Sequence, residues 1–127
     1  HLSQARIRNR NARVGEETLM NVWSGNFNTA QTGLVIAEAV PETLIRIHRV
    51  IITGWTGVNL TLLSDPGGAH EEALACRLRA TSGSIGVYDF SGRFALGGGK
   101  GKGVGLTAAY QGAGGEYSLT VFWERVG

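Results

Sequence analysis

The apolar residues of this chain fall in short runs of β-branched and aromatic side chains, with glycines between the runs. The last third shows the pattern most clearly. Gly92-Arg93-Phe94-Ala95-Leu96 is followed by a glycine–lysine stretch at 97–103, then Val104-Gly105-Leu106-Thr107. The chain closes on Tyr117-Ser118-Leu119-Thr120-Val121-Phe122-Trp123. Runs of this kind joined by glycine turns specify strands. No segment of helical length carries a 3.6-residue apolar stripe. Glycine, 20 of 127 residues, is about twice its usual share of roughly 7%. Its placement between the runs suits turns that need positive φ.

Read along the chain, strands are predicted at 20–23, 34–37, 43–53, 58–63, 72–79, 85–88, 93–96, 104–110 and 116–126. Strands at this spacing predict a jelly-roll-like β-sandwich of about eight strands. Residues 1–18 are expected to be an extended basic N-terminal arm, and residues 19–127 the β-sandwich domain. The 43–53 run is the strongest strand, and its apolar residues occupy both alternation faces. Leu44, Val50 and Ile52 fall on one face, and Ile45, Ile47 and Ile51 on the other. Such a strand is covered on both sides. In a small protein the second cover can be another subunit, which places Ile45, Ile47 and His48 at an expected subunit interface. On the last strand, Leu119, Val121 and Trp123 share the inward face.

Charge is unevenly distributed. The formal net charge is +2, yet Arg6, Arg8, Arg10 and Arg13 all precede the first acid, and beyond residue 18 bases and acids balance at eight each. The basic character therefore belongs to the arm, which is the expected partner-binding element through those four arginines. A nucleic-acid footprint would cover a face of the fold. The arm also carries no interleaved aromatic on which bases could stack, so nucleic acid is not the expected partner. Cys76 stands alone, which rules out an intrachain disulfide. It reads as a small buried hydrophobe. No run of 18 apolar residues is present, so no membrane helix is expected.

Residue sets that carry chemistry are weak throughout. The 97–103 loop lacks the Ser/Thr and the following helix of a phosphate-binding loop, so it reads as a loop at one end of the sandwich. Lys100 and Lys102 are its candidate contacts. His48 and His70 lack ligand-spaced partners, and no zinc or calcium site is expected. Neither a carboxylate pair nor a nucleophile elbow is marked. The expectation is a non-enzyme without cofactor. Trp55, at a turn, is a candidate exposed ring and raises a second reading, a carbohydrate- or receptor-binding module.

Leu44-Ile45-Arg46-Ile47-His48-Arg49-Val50-Ile51-Ile52, the 58–63 strand, the Gly92–Leu96 run with its glycine-rich loop, and Gly114-Gly115 before the closing strand carry a family resemblance. Over residues 43–127 the chain resembles small all-β structural proteins of tailed bacteriophages. It departs from them in having Arg93 where an aromatic is usual and a longer lysine–glycine loop. The resemblance implies a virion component: a capsid decoration (cement), head-fibre or tail-associated protein. It implies a homo-oligomer, commonly a trimer, with the major capsid protein or another virion protein as partner. Such a protein would be made in the host bacterial cytoplasm and located on the capsid surface or tail.

Overall fold

The computed structural model describes residues 6–14, 18–54, 57–81, 83–90, 96–97, 99–110 and 115–127. Among them are ten strands: β1 (Arg6–Val14), β2 (Thr18–Phe27), β3 (Gln31–Ala37), β4 (Leu44–Gly54), β5 (Val58–Ser64), β6 (Glu72–Ala80), β7 (Ile85–Asp89), the two-residue β8 (Leu96–Gly97), β9 (Val104–Tyr110) and β10 (Tyr117–Val126). No helix among the described residues is long and apolar enough to cross a membrane.

The strands make two antiparallel sheets. One has the order β1-β2-β10-β4-β7, with β8 also on β4, and the other has the order β3-β9-β5-β6. The pairings are nested. β5 pairs β6, β4 pairs β7, β3 pairs β9 and β2 pairs β10. The chain is thus one long hairpin wrapped over itself, and the wrap is closed by β10 against β4 and β9 against β5. This is a jelly-roll β-sandwich of eight main strands, with β1 and β8 added to one sheet. The 1–18 segment expected as an arm is extended over Arg6–Val14, but it lies in the sheet. It forms an edge strand in unbroken register with β2, from Arg6 opposite Asn26 to Val14 opposite Thr18.

The core lies between the sheets. Trp23, Phe27 and Tyr117 form its aromatic side, with centroids 6.3 Å apart for Trp23–Phe27 and 5.7 Å for Phe27–Tyr117. Leu60, Leu62, Val104 and Leu106 face them from the other sheet and are fully buried. Leu119, Val121 and Trp123 are inward, as their alternation predicts. The backbone of Cys76 is in register with Thr61; its side chain is outside the described set.

β4 corrects the expected subunit interface. Phe122 pairs with Arg49, but Trp123 pairs with Ile47, so His48 is an extra residue without its own partner on β10. This β-bulge shifts the alternation by one position. Ile45 and Ile47 before it, and Val50 and Ile52 after it, therefore all face inward. Each is 0% exposed within a single chain. Ile45 and Ile47 are core residues and cannot line an interface. The apparent second apolar face was a phase shift.

The two sides of the sandwich are closed differently. On the β6/β7 side, the Tyr88 hydroxyl donates to the carbonyl of Arg79 at 2.6 Å and accepts from the N–H of Arg79 at 2.9 Å, tying the sheets together. Gly86 sits at the same seam, where an added Cβ would lie 2.8 Å from the Arg79 carbonyl oxygen. On the β3 side the tie comes from a cation instead: Arg125 Nη1 of β10 donates to the carbonyl of Glu38, just past β3, at 3.1 Å.

Candidate functional site

The outer face of the β1-β2-β10-β4-β7 sheet is ordered in rows. Strand register sets Asn26, Ser118, Thr53 and Ile85 side by side. The next two rows are Ser24, Thr120, Ile51 and Val87, then Val22, Phe122, Arg49 and Asp89. On β1 the residues opposite Asn26, Ser24 and Val22 are Arg6, Arg8 and Arg10. The backbone register thus continues each row onto the edge strand β1. Two of the rows end on an apolar residue at the other edge. Ile85 and Val87 are 68% and 57% exposed. Free edge strands of this kind are usually blunted by charge or bulges; β7 is short and ends on Asp89, but its outward pair is apolar. Arg13 stands opposite Leu19, away from these rows.

Charged groups on the same face are largely engaged. Arg49 Nη2 lies 2.9 Å from Asp89 Oδ2, and its guanidinium sits 5.9 Å from the Phe122 ring centroid. His48 is half-buried, with Nε2 3.5 Å from Glu124 Oε1. It faces a carboxylate of its own chain across the bulge.

The lysine–glycine loop is tied down at one end of the sandwich. The N–H of Gly101 donates to the Thr43 carbonyl at 2.8 Å and that of Lys102 to Gly99 at 3.0 Å. Gly101 has φ +73°, a left-handed turn position that favours glycine. Lys100 Nζ is 3.2 Å from Glu42 Oε1, with both side chains mostly in water. A pair so exposed contributes little. The loop therefore packs against the β3–β4 connection. Trp55 lies outside the described residues.

Hollows lined by described residues open on the surface at two places of interest. One, of about 380 Å³, is lined by Thr53, Gly54, Gly83, Ser84, Glu116 and Ser118 with Ile85 at its edge. The other, of about 410 Å³, lies on the β3 side, between Trp23 and Trp123 of one sheet and β3 of the other. The Nε1–H of Trp123 is itself buried, with no hydrogen-bond partner among the described residues, a desolvated donor that costs about 1–3 kcal/mol. Neither Glu38 nor Arg125, which also line this hollow, is marked by any sequence motif. They are 87 positions apart and meet through the hydrogen bond from Arg125 Nη1 to the Glu38 carbonyl.

Among the described residues no group of three or more His, Cys, Asp or Glu is placed to hold a metal ion. Among the described residues the one displaced proton equilibrium is structural. Burial, then the neighbouring Tyr110, push the Tyr117 phenol up to about 12, and its hydroxyl donates to the Thr29 carbonyl at 2.6 Å.

No family model matches the sequence, and no curated protein matches it. Among solved structures, the Schizosaccharomyces pombe Cnp3 cupin domain aligns at 5% identity with a TM-score of 0.36, over 99% of this chain and 68% of that one. A likeness at that level carries no argument about what the chain does.

Proposed function

We propose that this chain is a virion structural protein, a capsid decoration or cement protein of a tailed bacteriophage that binds and stabilises the shell as an oligomer. The observation that carries the reading is the exposed apolar pair Ile85 and Val87 on β7, the edge strand among the described residues, in a sheet whose opposite edge is the arginine-bearing β1. The sequence resemblance to phage structural proteins supplies the particle. The jelly roll, a frequent architecture of capsid domains, is compatible with it. The two edges differ in chemistry, so a contact joining β7 of one copy to β1 of the next is head-to-tail. Head-to-tail contacts make closed rings when the rotation closes, and a trimer is the ring expected. In this arrangement Arg6, Arg8, Arg10 and Arg13 lie near subunit boundaries, where they meet acidic or backbone groups of the shell or of the adjacent copy.

The test is the solution mass of the purified chain by light scattering, followed by binding to particles that lack it. A trimer that binds such particles supports the proposal. A monomer that neither binds particles nor trimerises on them overturns it. A carbohydrate- or receptor-binding module is the second reading, favoured by the hollow at Thr53, Ser84, Glu116 and Ser118, which offers small hydroxyls and one carboxylate. That reading predicts that soluble glycan quenches tryptophan fluorescence, while the assembly reading predicts no response.

A further inference from the structure

We propose that copies of this chain join by strand addition: the edge of β7 takes β1 of an adjacent copy as its next strand, so that the sheet continues across the boundary. This rests on the assembly reading and adds to it how the copies join. The phase of the β4–β7 ladder decides which backbone groups of β7 are open. One step past the Arg49–Asp89 pair, the N–H of Phe90 donates to the His48 carbonyl at 2.7 Å. Antiparallel pairs alternate between hydrogen-bonded and non-hydrogen-bonded residues. Tyr88 and Gly86 therefore continue the ladder, to Val50 and Ile52, and the N–H and C=O groups of Ile85 and Val87 point away from β4. Among the described residues none takes them up, and β4 is the neighbour of β7. The adjoining edge of the other sheet is capped, because the Tyr88 hydroxyl takes both backbone groups of Arg79 on β6. Ile85 and Val87 are also 68% and 57% exposed. Unpaired edge groups are a template for another strand. In such pairing the main chain supplies affinity and the alternate side chains supply selectivity.

Direction and charge select the incoming strand. Each neighbouring pair from β1 through β2, β10 and β4 to β7 is antiparallel, so β1 and β7 run the same way. A ring whose axis lies along the strands brings β7 of one copy beside β1 of the next as parallel neighbours. β7 carries no base and ends on Asp89, and the exposed Glu116 lines the same hollow as Ile85 at its start. β1 carries four arginines and no acid. A basic strand thus meets an edge with an acid at either end. Antiparallel pairing of two β7 strands would instead set Asp89 of one copy towards Glu116 of the other. Juxtaposed like charges disfavour that contact.

The test is Val87→Pro, read by light scattering, by binding to particles and by a melt. Proline removes an outward N–H but leaves the ladder through Gly86 and Tyr88 and keeps an apolar side chain. It is tolerated on an edge strand where the N–H faces outward, and the preceding glycine has no Cβ to meet its ring. The expected result is a folded chain that no longer assembles. Amide exchange of the unaltered chain needs no variant: the N–H groups of Ile85 and Val87 should exchange at least about tenfold more slowly in the assembled state than in the diluted single chain. Replacing Arg6, Arg8, Arg10 and Arg13 together by Glu should also release single chains. A folded Val87→Pro chain that assembles as before, or equal exchange in both states, overturns strand addition and leaves assembly through other contacts. Assembly that survives the four glutamates overturns β1 as the incoming strand. A chain that assembles neither in solution nor on particles overturns the assembly reading and this proposal with it.

Discussion

Tyr117 keeps a polar tip inside an apolar core, and its titration reports on that burial. The side chain is 1% exposed, packs on Phe27 and Tyr110, and donates a hydrogen bond to the Thr29 carbonyl. Its folded pKa is pushed up to about 12 from 10.0, so the folded state holds the proton more tightly than the unfolded chain does. The stability this contributes is fully present below pH 10 and is lost as pH rises from 10 towards 12, where the unfolded chain has released its proton and the folded one has not. Tyr117→Phe should flatten that alkaline decline, and at neutral pH it should cost about 0.5–1.5 kcal/mol for the lost hydrogen bond. Urea melts across the alkaline range settle it. Parallel declines in the two proteins would mean that other groups drive alkaline unfolding. Ile47 tests the other buried assignment. As a core residue at 0% exposure, Ile47→Ala should cost about 2–5 kcal/mol in the isolated chain. A change that appears only in the oligomer would restore the interface role first expected from alternation.

β4 and β7 show which parts of an element a sequence carries and which it does not. Period-two alternation and β-branched content place most strands within a few residues of where they lie, including β5, β9 and β10, because those strands keep one phase from end to end. β4 does not. Its phase slips at His48, and that slip is decided by pairing with Phe122 and Trp123, far along the chain. Local pattern cannot distinguish a bulged one-sided strand from a straight two-sided one. β7 is ambiguous for another reason: Ile85 and Val87 alternate with Gly86 and Tyr88, and either pair could have been the buried one. Tyr88 wins because its hydroxyl reaches the Arg79 backbone, which turns the two aliphatic residues outward. If that outward pair joins copies, Ile85→Lys with Val87→Lys should reduce the oligomer to monomer. It should leave thermal stability within about 0.5 kcal/mol per site, as surface changes usually do. Light scattering beside a melt separates the outcomes. An oligomer that survives both lysines removes β7 from the assembly.

At the scale of the whole molecule, the sandwich is tied by Tyr88 on the β6/β7 side and by Arg125 on the β3 side, and its six-strand sheet runs from a basic edge to an apolar one. The β3 side holds the Trp123 hollow, whose residues lie far apart in the chain and give no sequence signal. The basic edge was visible as composition, but its place in the sheet was not. Arg6, Arg8, Arg10 and Arg13 sit in a polar segment with few apolar residues, and only the continuous register with β2 makes it a strand. That placement separates two effects that a free arm would merge. Replacing the four arginines by alanine leaves the backbone ladder in place, so the folded chain should melt as before. Attachment to particles, if the arginines make it, should weaken and lose its salt dependence, since exposed charge contacts are screened by salt. Removing residues 1–14 does something different. It strips the ladder from β2, exposes a strand edge beside Met20 and Val22, both 6% exposed in the full chain, and should lower stability as well as attachment. Attachment measured against salt, with a melt of each variant, reads the two apart. If the alanine variant binds particles as tightly as the unchanged chain at every salt concentration, the arginines are not the contact. The role of β1 would then be to cap the edge of β2 and keep this sheet from pairing at random.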